Sequence, residues 1–147
     1  MVKIINDVII VFLINYLDFD NKEKLEEEFK NILDKLEKIY HIEIKGSYRI
    51  NVYKNNIYGA ILEIKKDCDY CNYFNTIDMS INIIDTDFIY ELDDCFVELN
   101  CDKYLYNNRI YFDINNRDDL FKIIEYSKVI YKENNIRKNG KKINNML

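Results

Sequence analysis

One stretch constrains the fold more than any other. Ile42, Ile44, Tyr48, Ile50 and Val52 fall at alternating positions, with His41, Glu43, Lys45, Ser47, Arg49 and Asn51 between them. A strand with one buried face produces that period of two. Asn55-Asn56 reads as a turn, and Ile57 to Lys65 returns. The apolar pattern also selects a register. A three-residue loop of Lys54, Asn55 and Asn56 pairs Val52 with Tyr58, Ile50 with Ala60 and Tyr48 with Leu62, which keeps one apolar face continuous. It asks Asn56 for the left-handed conformation. A chain with this segment must build an antiparallel hairpin with one side in a core.

A helix precedes it. Leu25, Phe29, Ile32, Leu33, Leu36, Ile39 and Tyr40 form a helical stripe, with Asp20 as N-cap and Glu23 at the capping-box position. Before that, Val8 to Tyr16 reads as a strand. Its apolar run is seven residues, far short of the roughly 20 a membrane span needs. Strands are expected over Ile77 to Ile84, Asp87 to Leu92 and Cys95 to Leu99. A hairpin follows, with Tyr104 to Tyr106 and Ile110 to Ile114 flanking Asn107-Asn108-Arg109. Asn116 caps a second helix expected over Asp118 to Tyr131. The reading is an α+β single domain over residues 1–132. It has a mainly antiparallel sheet of six to seven strands, in the order β-α-β-β-β-β-β-β-α, with two helices on one face. Residues 133–147 form a basic tail, read as a short hairpin around Asn139-Gly140 or a frayed end.

Charge is distributed unevenly. The net charge is -5. Residues 67–102 hold ten acids and no Lys or Arg, whereas the tail carries Arg137, Lys138, Lys141 and Lys142 against Glu133. The acidic segment also holds Tyr70, Tyr73 and Phe74. A surface of that sign repels nucleic acid and membranes and attracts basic partners. Asp85, Asp87, Glu91, Asp93 and Asp94, with those three aromatics, are the candidate partner-binding residues. Ile, Asn, Lys and Tyr supply 25, 20, 17 and 13 residues, an AT-rich codon signature that points to a bacterium, a phage or a large DNA virus.

The four cysteines fall as Cys68-x-x-Cys71 and Cys95-x5-Cys101. Four converging thiolates would hold tetrahedral zinc. The second spacing is wide for a zinc knuckle, and Asp67, Asp69, Asp94 and Asp102 oppose thiol deprotonation. No cofactor is therefore expected, with zinc on Cys68, Cys71, Cys95 and Cys101 as the alternative. No export signal follows the first apolar run, so the expected place is cytoplasmic, with reduced thiols. The one histidine, His41, sits on the polar strand face, and the three glycines form no phosphate-cradling loop. No catalytic constellation stands out.

Two hairpins share a cadence, Val52-Tyr53-Lys54-Asn55-Asn56-Ile57-Tyr58 and Leu105-Tyr106-Asn107-Asn108-Arg109-Ile110-Tyr111. The second leads into a helix with Leu120 and Ile124-Glu125-Tyr126. This cadence resembles the C-terminal domain of the MecA-type adaptors of Firmicutes, which hand substrates to a Clp chaperone. The resemblance implies a partner-binding α+β module and assigns no residue roles. The sequence thus leads to a non-enzymatic adaptor or regulator that binds a basic protein through residues 67–102. One alternative is a phage-type anti-defence inhibitor that mimics nucleic-acid charge. A second is a zinc-stabilised binding module.

Overall fold

In the computed structural model the described residues are 2–14, 19–42, 46–68, 77–93 and 99–143. They form an α+β protein with two five-stranded sheets, one mixed and one antiparallel. The residues group into two compact units, Met1–Val52 with Gly59–Ile84, and Tyr53–Tyr58 with Asp85–Leu147. Ten strands thus replace the expected single sheet of six to seven. Among the described residues, no helix is long and apolar enough to cross a membrane.

The first unit holds β1 (Val2–Ile5), β2 (Val8–Leu13), α1 (Lys22–Tyr40), β3 (Gly46–Asn55), β4 (Gly59–Cys68) and β5 (Ile77–Asp85), in the sheet order β1-β2-β4-β3-β5, except that Tyr53 to Asn55 at the end of β3 and Asp85 at the end of β5 belong to the second unit. Asn6 and Asp7 join β1 to β2 with φ of 49° and 64°. Two left-handed residues in succession are what a type I′ turn needs, and Asn and Asp tolerate them. β1 is a strand the sequence pattern did not announce.

α1 begins one residue later than expected. Asn21 is the N-cap, and its Oδ1 accepts from the Lys24 amide at 3.2 Å. That puts Lys24 at the capping-box position, so Glu23 does not complete a box. The helix ends where His41 turns left-handed at φ 55°. Leu25, Phe29, Leu33 and Leu36 pack on Ile9, Val11, Tyr48, Ile50, Val52, Ala60, Leu62 and Ile64, which form one face of the sheet. The stripe is buried only as far as Leu36, since Ile39 and Tyr40 are 64% and 50% exposed.

The β3–β4 turn lies further along than the expected loop. Strand pairing continues through Asn55 and resumes at Gly59, and Gly59, not Asn56, takes the positive φ (119°). The reason is local. The Asn55 Oδ1 accepts from the Ile57 and Tyr58 amides at 2.9 and 3.1 Å, an Asx turn that carries the reversal over residues 56–58.

The second unit holds β6 (Ile89–Leu92), β7 (Asp102–Tyr106), β8 (Arg109–Asp113), α2 (Arg117–Ile123), β9 (Lys128–Ile130), α3 (Ile136–Asn139) and β10 (Lys141–Ile143). Its strands run β10-β7-β8-β6-β9, each pair antiparallel. Asn107 and Asn108, at φ 51° and 64°, form the two-residue turn between β7 and β8, so Arg109 belongs to the strand. Asn116 caps α2 as expected, accepting from the Asp119 amide at 2.8 Å. α2 stops at Ile123 instead of reaching Tyr131. β9 follows because its residues pair better in a ladder: Ile130 faces Ile89, Val129 faces Tyr90, and Lys128 faces Glu91. The tail is neither frayed nor a free hairpin through residue 143. α3 places Ile136 against Ile89 and Tyr111, and β10 pairs with β7. The strand expected over Cys95 to Leu99 lies mostly outside the described residues.

Leu33 is wholly buried, so Leu33→Ala will cost about 2–5 kcal/mol in denaturant unfolding. Ile39→Ala will change stability by less than about 0.5 kcal/mol. At Gly140, a Cβ would meet the Ile136 carbonyl oxygen and lie 3.3 Å from the Tyr104 Cβ. Gly140→Ala will therefore destabilise the protein by about 1–3 kcal/mol in the same assay.

Candidate functional site

The second unit contains a cleft of about 600 Å³. Its walls come from the β3–β4 turn (Lys54, Asn56), the segment entering β6 (Asp85, Asp87), the end of β8 (Asp113) and α3 (Arg137). These loops converge because Thr86 is tied on three sides. Its amide donates to the Lys54 carbonyl at 3.5 Å, and its carbonyl accepts from the Asn55 side-chain amide at 3.2 Å. Its hydroxyl donates to the Tyr131 carbonyl at 2.8 Å. An aromatic cluster backs this knot. Tyr53 meets Tyr131 edge-on at 5.0 Å between ring centroids, and Phe88 lies 5.4 Å from Tyr58 and 6.3 Å from Tyr131.

Two ion pairs face the cleft. Lys54 Nζ lies 3.3 Å from Asp85, whose carboxylate is 81% exposed. Arg137 makes three hydrogen bonds: Nε to Asp113 Oδ2 at 3.1 Å, Nη2 to Asp113 Oδ1 at 3.0 Å, and Nη2 to the Phe88 carbonyl at 2.7 Å. Burial works against the Arg137 charge. The hydrogen bond and charge of Asp113, with the charge of Asp87, nevertheless hold its pKa above the ordinary arginine value. Carboxylates outnumber cations among the lining residues, with Asp85, Asp87 and Asp113 against Lys54 and Arg137.

The remaining candidate acids lie elsewhere on this unit. Glu91 and Asp93 share Arg109, at 2.6 and 3.9 Å. Asp102 pairs with Lys142 at 3.4 Å. Asp85, Glu91, Asp93 and Asp102 thus each have a base beside them, drawn from outside that segment. Asp94, Tyr70, Tyr73, Phe74, Cys71 and Cys95 lie outside the described residues, as does the side chain of Cys68. Cys101 is half-buried, and burial is the largest cause that pushes its thiol up to about 11. Lys103 counters this, while Asp119, Asp113 and Asp102 add to it. Among the described residues, no group of three or more His, Cys, Asp and Glu could hold a metal.

Lys54, Asp113 and Arg137 belong to the cleft and were not sequence candidates. Nothing in their spacing links them. The only hint was the excess of bases in the tail.

Burial pushes the Tyr58 hydroxyl up to about 12, and burial with the nearby Tyr58 pushes Tyr90 higher still. Both groups titrate later in the folded protein than in the unfolded chain. Their contribution is therefore fully present below about pH 10 and is lost as pH rises toward 12. Circular dichroism with tyrosinate absorbance will show one alkaline transition in that window, and Tyr58→Phe will move it upward. No family model, curated protein sequence or solved structure matches the chain.

Proposed function

We propose that this chain is a small, non-enzymatic interaction protein of a cytosol that binds a basic protein partner. The observation that supports this reading is the cleft of the second unit, where Asp85, Asp87 and Asp113 outnumber Lys54 and Arg137. Exposed ion pairs such as Lys54–Asp85 contribute about 0–1 kcal/mol, so a partner's cation exchanges for Lys54 at little cost. Asp85 and Asp87 are the residues of the original acidic set that meet in this cleft. The adaptor-like hairpin cadence belongs with the same reading, because an adaptor works by recognition alone.

Charge mimicry of nucleic acid is less well supported. A mimic needs a repeating row of unneutralised acids, whereas Asp85, Glu91, Asp93 and Asp102 each have a base beside them. An exchangeable pair suits a discrete basic side chain better than a long cationic channel.

The test is binding of a labelled arginine-rich peptide by fluorescence anisotropy across salt concentrations. The wild-type protein will bind, and binding will weaken as salt rises. Reversing Asp85 and Asp87 to Lys will lower affinity by about tenfold or more, corresponding to about 1.4 kcal/mol. Affinity unchanged by both reversals would contradict the reading.

A further inference from the structure

The interaction reading leaves open why a cleft suited to basic groups holds the protein's own arginine. Resting on that reading, we propose that residues 132–143 are a displaceable strap whose Arg137 occupies the place that a guanidinium of the basic partner takes.

The occupied cradle is the first support. Asp113 offers both carboxylate oxygens and Phe88 its carbonyl, and Arg137 satisfies all three at 2.7–3.1 Å. That is the planar fork geometry of a guanidinium, which a single ammonium cannot span. A cradle that fits a guanidinium within the chain also fits one from outside it.

Accessibility is the second support. The Arg137 and Asp113 side chains are 28% and 30% exposed, so a competing cation can reach the pair without prior unfolding. The strap has other fastenings among the described residues. β10 contributes three residue pairs to the edge of β7, Lys142–Asp102 is an exposed pair, and Ile136 is the one buried side chain of the strap.

The strap's chemistry is the third support. It carries Lys132, Arg137, Lys138, Lys141 and Lys142 against Glu133. It is a basic peptide already paired with Asp102 and Asp113. A partner of the same chemistry must compete with it, so apparent affinity falls by the fraction of time the cradle is closed. Partner binding in turn frees α3 and β10 from the edge of β7.

A labelled hexa-arginine peptide provides the test, with circular dichroism confirming that each variant is folded. Arg137→Gln keeps the shape and removes the competing charge, and it will bind the peptide about tenfold tighter than wild type or better. Adding Asp113→Asn will abolish that gain. A second readout needs no peptide. Arg137→Ala will melt lower than wild type, and millimolar methylguanidinium will restore part of the loss where methylammonium will not. Equal or weaker peptide binding by folded Arg137→Gln overturns the strap, as does methylguanidinium that raises the Arg137→Ala melting temperature no more than that of wild type. If the peptide binds and responds to Asp85 and Asp87 reversal but ignores Arg137, the strap fails and the interaction reading stands. If no folded variant binds the peptide, the interaction reading fails, and methylguanidinium rescue still decides whether the cradle accepts a guanidinium.

Discussion

The Arg137 guanidinium is the polar pin of the cleft. It holds α3 to the end of β8 through Asp113 and to the start of β6 through the Phe88 carbonyl. The Phe88 ring in turn packs on Tyr58 and Tyr131, and Tyr131 accepts from Thr86, which is tied to Asn55. A single polar pin and a small aromatic cluster thus position every wall of the cleft. Removing one member of the pin would leave a half-buried carboxylate or guanidinium unpaired. That costs more than the intact pair contributes relative to an apolar replacement.

The charge pattern gains its meaning from this arrangement. Along the chain, an acidic middle precedes a basic end, and the two look like separate tracts. In the fold, Arg137 pairs with Asp113 and lines the same cleft as Asp87, and Lys142 pairs with Asp102. Lys54 and Arg109 complete the pairing from other parts of the chain. Most of these pairs are solvent-exposed, so their net stabilisation is small. An exposed pair of this kind can exchange partners at little cost.

Much of the first unit was legible from the sequence. The period-two pattern of Tyr48, Ile50 and Val52 and the stripe from Leu25 to Leu36 both end in one core. Burial of one face imposes such patterns, so they survive in the sequence. The short strands β1, β9 and β10 were not legible. They span three or four residues, too few to show a period, and the ladder partners of β9 and β10 lie far along the chain. The β3–β4 turn lies further along because the Asn55 side chain bonds two amides within it, while Tyr48, Ile50, Val52, Ala60, Leu62 and Ile64 still share one apolar face. Within the cleft, Asp85 and Asp87 were visible as acids. Asp113 and Arg137, 24 residues apart, meet only through strand order and the docking of α3, which no local spacing encodes.

The central claim is that the cradle around Arg137 exchanges its internal guanidinium for an external one. The most direct measurement is the Nε–Hε resonance of Arg137 in ¹⁵N-labelled protein, followed by NMR as an unlabelled arginine peptide is added. The account predicts a resolved, exchange-protected signal that loses its protection in step with peptide saturation. A signal that stays protected and unshifted while the peptide saturates the protein would contradict it.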